Sequence, residues 1–332
     1  MDCRRDRRER VETEVKQTRA VFERLGFPAG DCHDLPSSKK TFPDGAQYRV
    51  EIPSVEGPAS FEAVLEACET YGVTIHRISQ GSGIMLLTDR ELEQMAAIGR
   101  REKLEVSLFV GPRGTWDITP MTWASAGKIA GLRVQGMDQL AYAIEDIKRA
   151  CQAGIRSILV ADEGLLWLVN EFKKLGELPP DLLVKISVQM GQANPVSIRL
   201  MEQIGAGTYN VPTDLSLPRL AAIRQAVDIP IDIYVEAPDD MGGFIRHYDI
   251  PEIIRVAAPV YIKFGLRNSP NIYPSGSHLE QTSISLCRER VRRARIGLDI
   301  IQRYAPDLKI SEKGAAGLAV PALPMKGEHA WT

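Results

Sequence analysis

No apolar run in this chain approaches the roughly 18 residues a membrane-spanning helix requires, so no membrane contact is expected. The N-terminus, MDCRRDRRER, has no apolar stretch after its charges and does not read as a secretory signal. An excess of one charge is missing too. With 41 Lys+Arg against 43 Asp+Glu and a formal net charge of -2, the chain lacks the electrostatic footprint of a dedicated nucleic-acid binder, and nucleic acid is not an expected partner. Cysteine is scarce: Cys3, Cys32, Cys68, Cys151 and Cys287 are odd in number, widely spaced and free of any C-x-x-C pair. That argues against a disulfide framework or thiolate zinc site and for a reducing, cytoplasmic compartment. Neither the dinucleotide glycine fingerprint after the first strand nor a P-loop is found, which weakens a doubly wound reading.

What is there is an ordinary globular balance, 44% hydrophobic over 332 residues, a length compatible with two domains or one large α/β barrel. Residues 5–25 place Val11, Val15, Val21 and Leu25 at helix-like intervals in a highly charged segment. This predicts a helix outside the main fold, docked on the body or joining a homo-oligomer. Residues 26–46 read as a loop. From there the chain alternates strand and helix, with strands expected at 48–52, 74–79, 105–110, 157–161, 183–189, 208–212, 231–237 and 259–265. Thr88 with Glu91 forms a capping box, and Asn194-Pro195 and Asp249 before Pro251 start helices. In the last helix Cys287, Val291, Ala294, Leu298 and Ile301 form one stripe, with Arg288, Arg290, Arg292 and Arg293 expected mostly on a solvated face. Eight such units predict an α/β fold, a (β/α)8 TIM-type barrel over residues 47–310. An N-terminal helix and loop (1–46) precede it and a tail (311–332) follows. Residues 112–136, including GLRVQG, are taken as an inserted loop, not a ninth stave.

Strand parity carries the functional information. The set that must pack on helices is apolar: Val50 and Ile52, Val184 and Ile186, Ile231 and Ile233, Ile262 and Phe264. The opposite parity turns inward Arg49, Glu51, Ser107, Phe109, Lys185, Ser187, Gln189, Asp232, Tyr234, Glu236, Tyr261 and Lys263. Buried ions must pair, meet water or meet a ligand. Arg49, Lys185 and Asp232, near strand starts, are expected to pair across the barrel floor. Glu51, Gln189, Glu236 and Lys263, near strand ends, lie where barrel enzymes build active sites. Strand two is too mixed to orient, and His76 is a candidate there. The loops add Asp239 and Asp240 after strand seven, and Arg267, Asn268, Ser275, Ser277 and His278 after strand eight. The latter offer donors for a carboxylate or phosphate. Cofactors are not expected; the acidic loop leaves room for a divalent metal that no ligand spacing indicates.

GIRSILVADEGLLWL, KISVQMGQANPVSIRLMEQIGAGTYNVPTDLSLPRLAAIR and DIYVEA then resemble the core of the collagenase-like peptidases, unassigned peptidase family 32. The pattern falls on Asp162, Gly164, Leu165 and Leu166; on Ser187, Gln189, Met190 and Asn194; and on Leu215, Ser216 and Leu217. The resemblance covers roughly residues 153–237. It implies a barrel-like fold and a peptidase-like activity, other members modifying transfer RNA or hydroxylating quinones through an iron–sulfur cluster. Cluster-bearing members place a cysteine after strand seven and more beyond; here only Cys287 follows, so no such cluster is expected. Three functions follow as expectations. One is a hydrolase of a small amide or peptide-like substrate, with Glu236 as general base and Lys263 or Arg267 on the oxyanion. Another is a lyase, aldolase or epimerase using Lys263 with Glu51 and Glu236. The third is a non-catalytic partner-binding barrel. The catalytic candidates are Glu236, Lys263 and Glu51, with His76, Gln189, Asn194, Asp162, Asp239, Arg267, Ser277 and His278 as substrate contacts.

Overall fold

The computed structural model describes residues 15–111 and 132–324. Eight strands follow one another around a closed parallel barrel: β1 (Tyr48–Pro53), β2 (Arg77–Gln80), β3 (Glu105–Phe109), β4 (Ser157–Val160), β5 (Leu183–Ile186), β6 (Thr208–Asn210), β7 (Ile231–Glu236) and β8 (Val260–Phe264). The jacket comprises α1 (Pro58–Tyr71), α2 (Asp89–Glu102), α3 (Gly136–Gln152), α4 (Glu163–Lys174), α5 (Pro195–Gln203), α6 (Leu217–Ala226), α7 (Ile250–Ala257) and α8 (Glu280–Tyr304). This is the expected TIM-type fold. Residues 112–131 of the expected insertion lie outside the described residues, and the described end of GLRVQG forms no stave. Among the described residues no helix is long and apolar enough to cross a membrane.

Local chemistry sets the element ends. Thr88 and Glu91 close the capping box at the start of α2, and Asn194 accepts from the Val196 and Ser197 amides at the start of α5. β2 begins three residues later than expected. Nδ1 of His76 takes the Val50 amide at 3.0 Å, so a side chain stands where the ladder would run, and pairing starts at Glu51↔Arg77. β5 ends early because Ser187 accepts the Gln189 amide and turns the chain into a short 3-10 helix.

The apolar parity packs outward as expected: Val50, Ile52, Val184, Ile186, Ile231, Ile233 and Ile262 are buried in one core with the helix faces. Phe264 reaches α8 so closely that a Cβ at Gly297 would lie 2.6 Å from its ring. One expectation for α8 is corrected. Arg290 is buried and donates to the Ser54 carbonyl at 3.3 Å, whereas Arg288 and Arg292 face Glu66 and Glu289 near solvent. At the N-terminus residues 15–24 are helical with Val15, Val21 and Leu25 exposed, and the segment after it is held to α5 by Arg199 donating to the Gly26 carbonyl. Val11 lies outside the described residues.

Candidate active site

The barrel interior is an ionic plug. Arg77 lies at its centre, fully buried, with Nε 2.7 Å from Glu105 and Nη1 3.1 Å from Asp232 and 3.2 Å from Glu51. Its guanidinium stacks 3.6 Å from the centroid of Tyr261. Lys185 bonds Glu51 and lies 3.1 Å from Asp232. Hydroxyls complete the shell: Ser79 to Glu51, Ser157 to Glu105 and Thr208 to Asp232. Each ion so deep costs several kcal/mol in lost hydration, about which only mutual pairing can compensate. Burial opposes the charge on Glu51, yet Lys185, Lys263 and Arg77 outweigh it and hold the carboxyl well below the usual range. Lys185 responds the other way: burial presses its ammonium down to about 8 despite Asp232 and Glu51.

Lys263 caps this plug at the C-terminal end of the strands. Its Nζ donates to Asn210 Oδ1 at 2.7 Å, lies 3.1 Å from Glu51 Oε1 and sits 4.3 Å from the centroid of the Tyr234 ring. Above it is a cavity of about 40 Å³ edged by Ser54, Gln80, Gln189, Asp240 and Tyr273. A larger open groove, about 850 Å³, lies on the opposite face among Tyr48, Arg295 and Lys309. None of the plug ions borders it, whereas Lys263 lines the smaller space.

Of the candidate site residues, Lys263 and Gln189 meet at the mouth, and Glu51 lies one layer beneath, touching Lys263 but not the cavity. Glu236 does not join them. A bulge in β7 sets Tyr234 opposite Lys263 and then Glu236 opposite Phe264, so Glu236 takes the outward parity. Its carboxylate is buried behind the barrel wall, 3.4 Å from His247 and 3.8 Å from Arg293, and accepts the Arg267 amide. Burial opposes ionisation there, but His247, the Arg267 amide and Arg293 keep the carboxyl below its ordinary value. His76 is at the other end of the barrel, between the Val50 amide and the Ser311 carbonyl. Asn194 and Asp162 are helix caps. Asp239 pairs with Arg267 at 3.6 Å on the exposed rim and accepts the Asn268 amide. Ser277 borders a separate cavity of about 60 Å³ beside Glu56, and His278 is exposed on the same short turn.

Arg77, Glu105, Asn210, Ser54 and Tyr273 were not singled out by the sequence. Arg77 belongs to strand two, which gave no clean alternation, whereas Glu105 shares the inward parity of Ser107 and Phe109 but starts its strand and was not named with them. Asn210 ends a three-residue strand, too short to display parity. Tyr273 sits in a loop among prolines and serines, where no periodicity operates.

Among the described residues the cysteines are dispersed and do not group as ligands of an iron–sulfur cluster. Cys32 lies in the loop before β1, Cys68 on α1, Cys151 on α3 and Cys287 on α8, all free. Burial pushes the Cys68 and Cys151 thiols up to about 12, away from the thiolate that iron requires. Among the described residues no three His, Cys, Asp or Glu side chains group as metal ligands.

Several known proteins are similar to parts of this chain. The structure of the U32 peptidase Mk0906 is 14% identical, covering 70% of this chain and 98% of that one with a TM-score of 0.39. Dihydrodipicolinate synthase from Bacteroides thetaiotaomicron is 13% identical, covering 77% and 81%, with a TM-score of 0.40. The fold rests instead on the chain's own closed sheet. In sequence, tRNA hydroxylation protein P of Escherichia coli (strain K12) is 29% identical over 93 residues, 28% of this chain and only 19% of that protein. Residues 133–237, from the approach to α3 through the end of β7, match the model of peptidase family U32. The likeness to peptidase family U32 is carried by this central segment.

Proposed function

We propose that this TIM-barrel enzyme hydrolyses an amide or peptide-like bond in a small substrate, with the carbonyl oxygen seated on Lys263. The observation that carries the reading is the Lys263 ammonium, held between Glu51 and Asn210 at the bottom of the mouth. An ammonium fixed in this way is a charged hydrogen-bond donor: it can stabilise the oxyanion that forms when water attacks the carbonyl carbon. Asp240, on the cavity edge, takes the proton of that water. The C–N bond then breaks and the same proton passes to the leaving amine. Glu51 acts as a positioning residue, and Gln189 offers its amide to the substrate. The plug itself is balanced, with Arg77, Lys185 and Lys263 against Glu51, Glu105 and Asp232. With no surplus positive charge, a neutral carbonyl suits this floor better than a carboxylate. The family name, a peptidase family, supports hydrolysis.

One observation favours a second reading. Lys263 lines the floor of the mouth beside the Glu51 carboxylate, an arrangement that suits Schiff-base chemistry of the lyase kind as well. The test is a panel of dipeptides and simple amides followed by mass spectrometry. Lys263→Met should lower cleavage by about 10²-fold or more with little change in melting temperature, because Glu51 keeps Lys185 and Arg77. Borohydride capture of pyruvate on Lys263, with no amide cleaved by the wild type, would put the lyase reading in its place.

A further inference from the structure

The cavity over Lys263, about 40 Å³, has room for a few waters but not for a substrate of several heavy atoms. The side chain that takes up the remaining space is Tyr273, from the loop between β8 and α8. Its hydroxyl is hydrogen-bonded to Ser54 Oγ across the mouth. The hydroxyl end of its ring sits against Gly81: a Cβ there would be 2.7 Å from the ring, so only glycine admits it. Ser54 is itself specially placed. It has φ +60°, a conformation side chains rarely adopt, and its carbonyl is held by Arg290 and by the Cys287 thiol. The hydroxyl is thereby left to meet Tyr273. The loop is pinned on both sides of the tyrosine, at Asn268 by Asp239 and at Ser275 by the Ser82 hydroxyl, 2.7 Å away. Ser82 is in turn fixed by the buried carboxylate of Glu56.

We infer that Tyr273 is the specificity-determining residue of the mouth: its ring closes the site over Lys263 and must swing out to admit a planar group into the slot against Gly81. That slot has a flat glycine backbone on one side and the Lys263 ammonium below, which fits a peptide unit or an aromatic amide. The closure stands on the geometry alone, while the substrate class rests on the amide-hydrolysis reading. On closing again, the hydroxyl that now bonds Ser54 is positioned to contact the bound substrate.

The experiment uses the full chain and limiting acetic anhydride, with acetylation of Lys263 read by mass spectrometry. Lys174 serves as the internal standard, since its side chain is 70% exposed against 4% for Lys263. Tyr273→Ala should raise Lys263 labelling relative to Lys174 by about tenfold, as a site freed from local closure does. Tyr273→Phe, which keeps the ring and loses the Ser54 bond, should raise it by less. Gly81→Ala should act like Tyr273→Ala by displacing the ring; if it fails to fold, the two tyrosine variants still decide. Labelling in Tyr273→Ala equal to wild type overturns the inference. A second arm compares benzamide with acetamide, and the kcat/KM ratio should shift toward benzamide by about tenfold in Tyr273→Ala. If Lys263 labelling rises but no form cleaves either amide, closure by Tyr273 stands and the hydrolase reading falls.

Discussion

Nδ1 of His76 accepts the Val50 amide at 3.0 Å and Nε2 faces the Ser311 carbonyl at 2.8 Å, so the fold requires a neutral ring with its proton on Nε2. Burial drives the imidazole down to about 4, the carbonyl of Ser311 opposing and Arg49 adding to the shift. An unfolded chain holds the same ring near its ordinary value of about 6.5 and binds more protons over the interval between the two. Stability is therefore full above about pH 6.5 and falls toward pH 4, by on the order of 3 kcal/mol from this residue. Urea unfolding of His76→Asn, which cannot charge, should show a flatter slope in that window; an unchanged slope would place the acid sensitivity elsewhere. None of this was legible in the sequence, because strand two alternates too irregularly to say which way His76 turns. Lys263 was legible for the opposite reason: β8 reads apolar and polar in strict turn, VYIKF, and nothing interrupts it.

At the scale of elements, the succession of strand-like and helix-like segments located all eight strands, and alternation within the strands most of the inward charges. Where the period is broken by the backbone itself, it misled. The bulge in β7 adds one residue against β8 and sends Glu236 through the wall to His247 and Arg293, away from Lys263. Glycine and proline commonly mark such irregularities, but the strand IDIYVE contains neither. Glu236 thus ties together the β7–α7 loop, the β8–α8 loop and α8, a structural role in place of the expected catalytic one. Glu236→Gln should cost about 1–3 kcal/mol in urea unfolding, the penalty for weakening a buried charged hydrogen-bond set. Acetylation of Lys263 should stay at the wild-type level in that variant. A stable Glu236→Gln protein with altered Lys263 labelling would return Glu236 to the site.

For the whole molecule, an ionic interior changes what is needed to close the barrel. A core of branched apolar residues would end in a dry floor, whereas this one ends in Arg49, whose donors require partners at the bottom. Both flanking segments supply them. Phe42, before β1, packs edge-on against Tyr261 with its ring centroid 4.1 Å from the Arg49 guanidinium. From beyond α8, the Ser311 hydroxyl and the Ala316 carbonyl accept from Arg49 at 2.9 and 2.6 Å, and Ala322 pairs with Gly154. The residues assigned by sequence to a linker and a tail are, over their described parts, the lid of the barrel floor. They escaped notice because GAAGLAVPALP has no strand or helix period, and its role lies in backbone carbonyls that any sequence would carry. Truncation after Ile310 removes the Ser311 and Ala316 acceptors of Arg49, leaving it the Tyr261 hydroxyl at 3.2 Å and Asp44 at 3.8 Å, and removes the Ser311 carbonyl of His76 as well. Losing two hydrogen bonds of a buried guanidinium and one of a buried imidazole should cost on the order of 3–5 kcal/mol, so the shortened chain should unfold at much lower urea or fail to fold. Ser311→Ala is the milder companion: it removes one acceptor, leaves the Ala316 carbonyl in place, and should cost about 1–3 kcal/mol. If the truncated chain unfolds at the same urea concentration as the full one, Arg49 is paired without the tail, and the barrel closes on its eight strands alone.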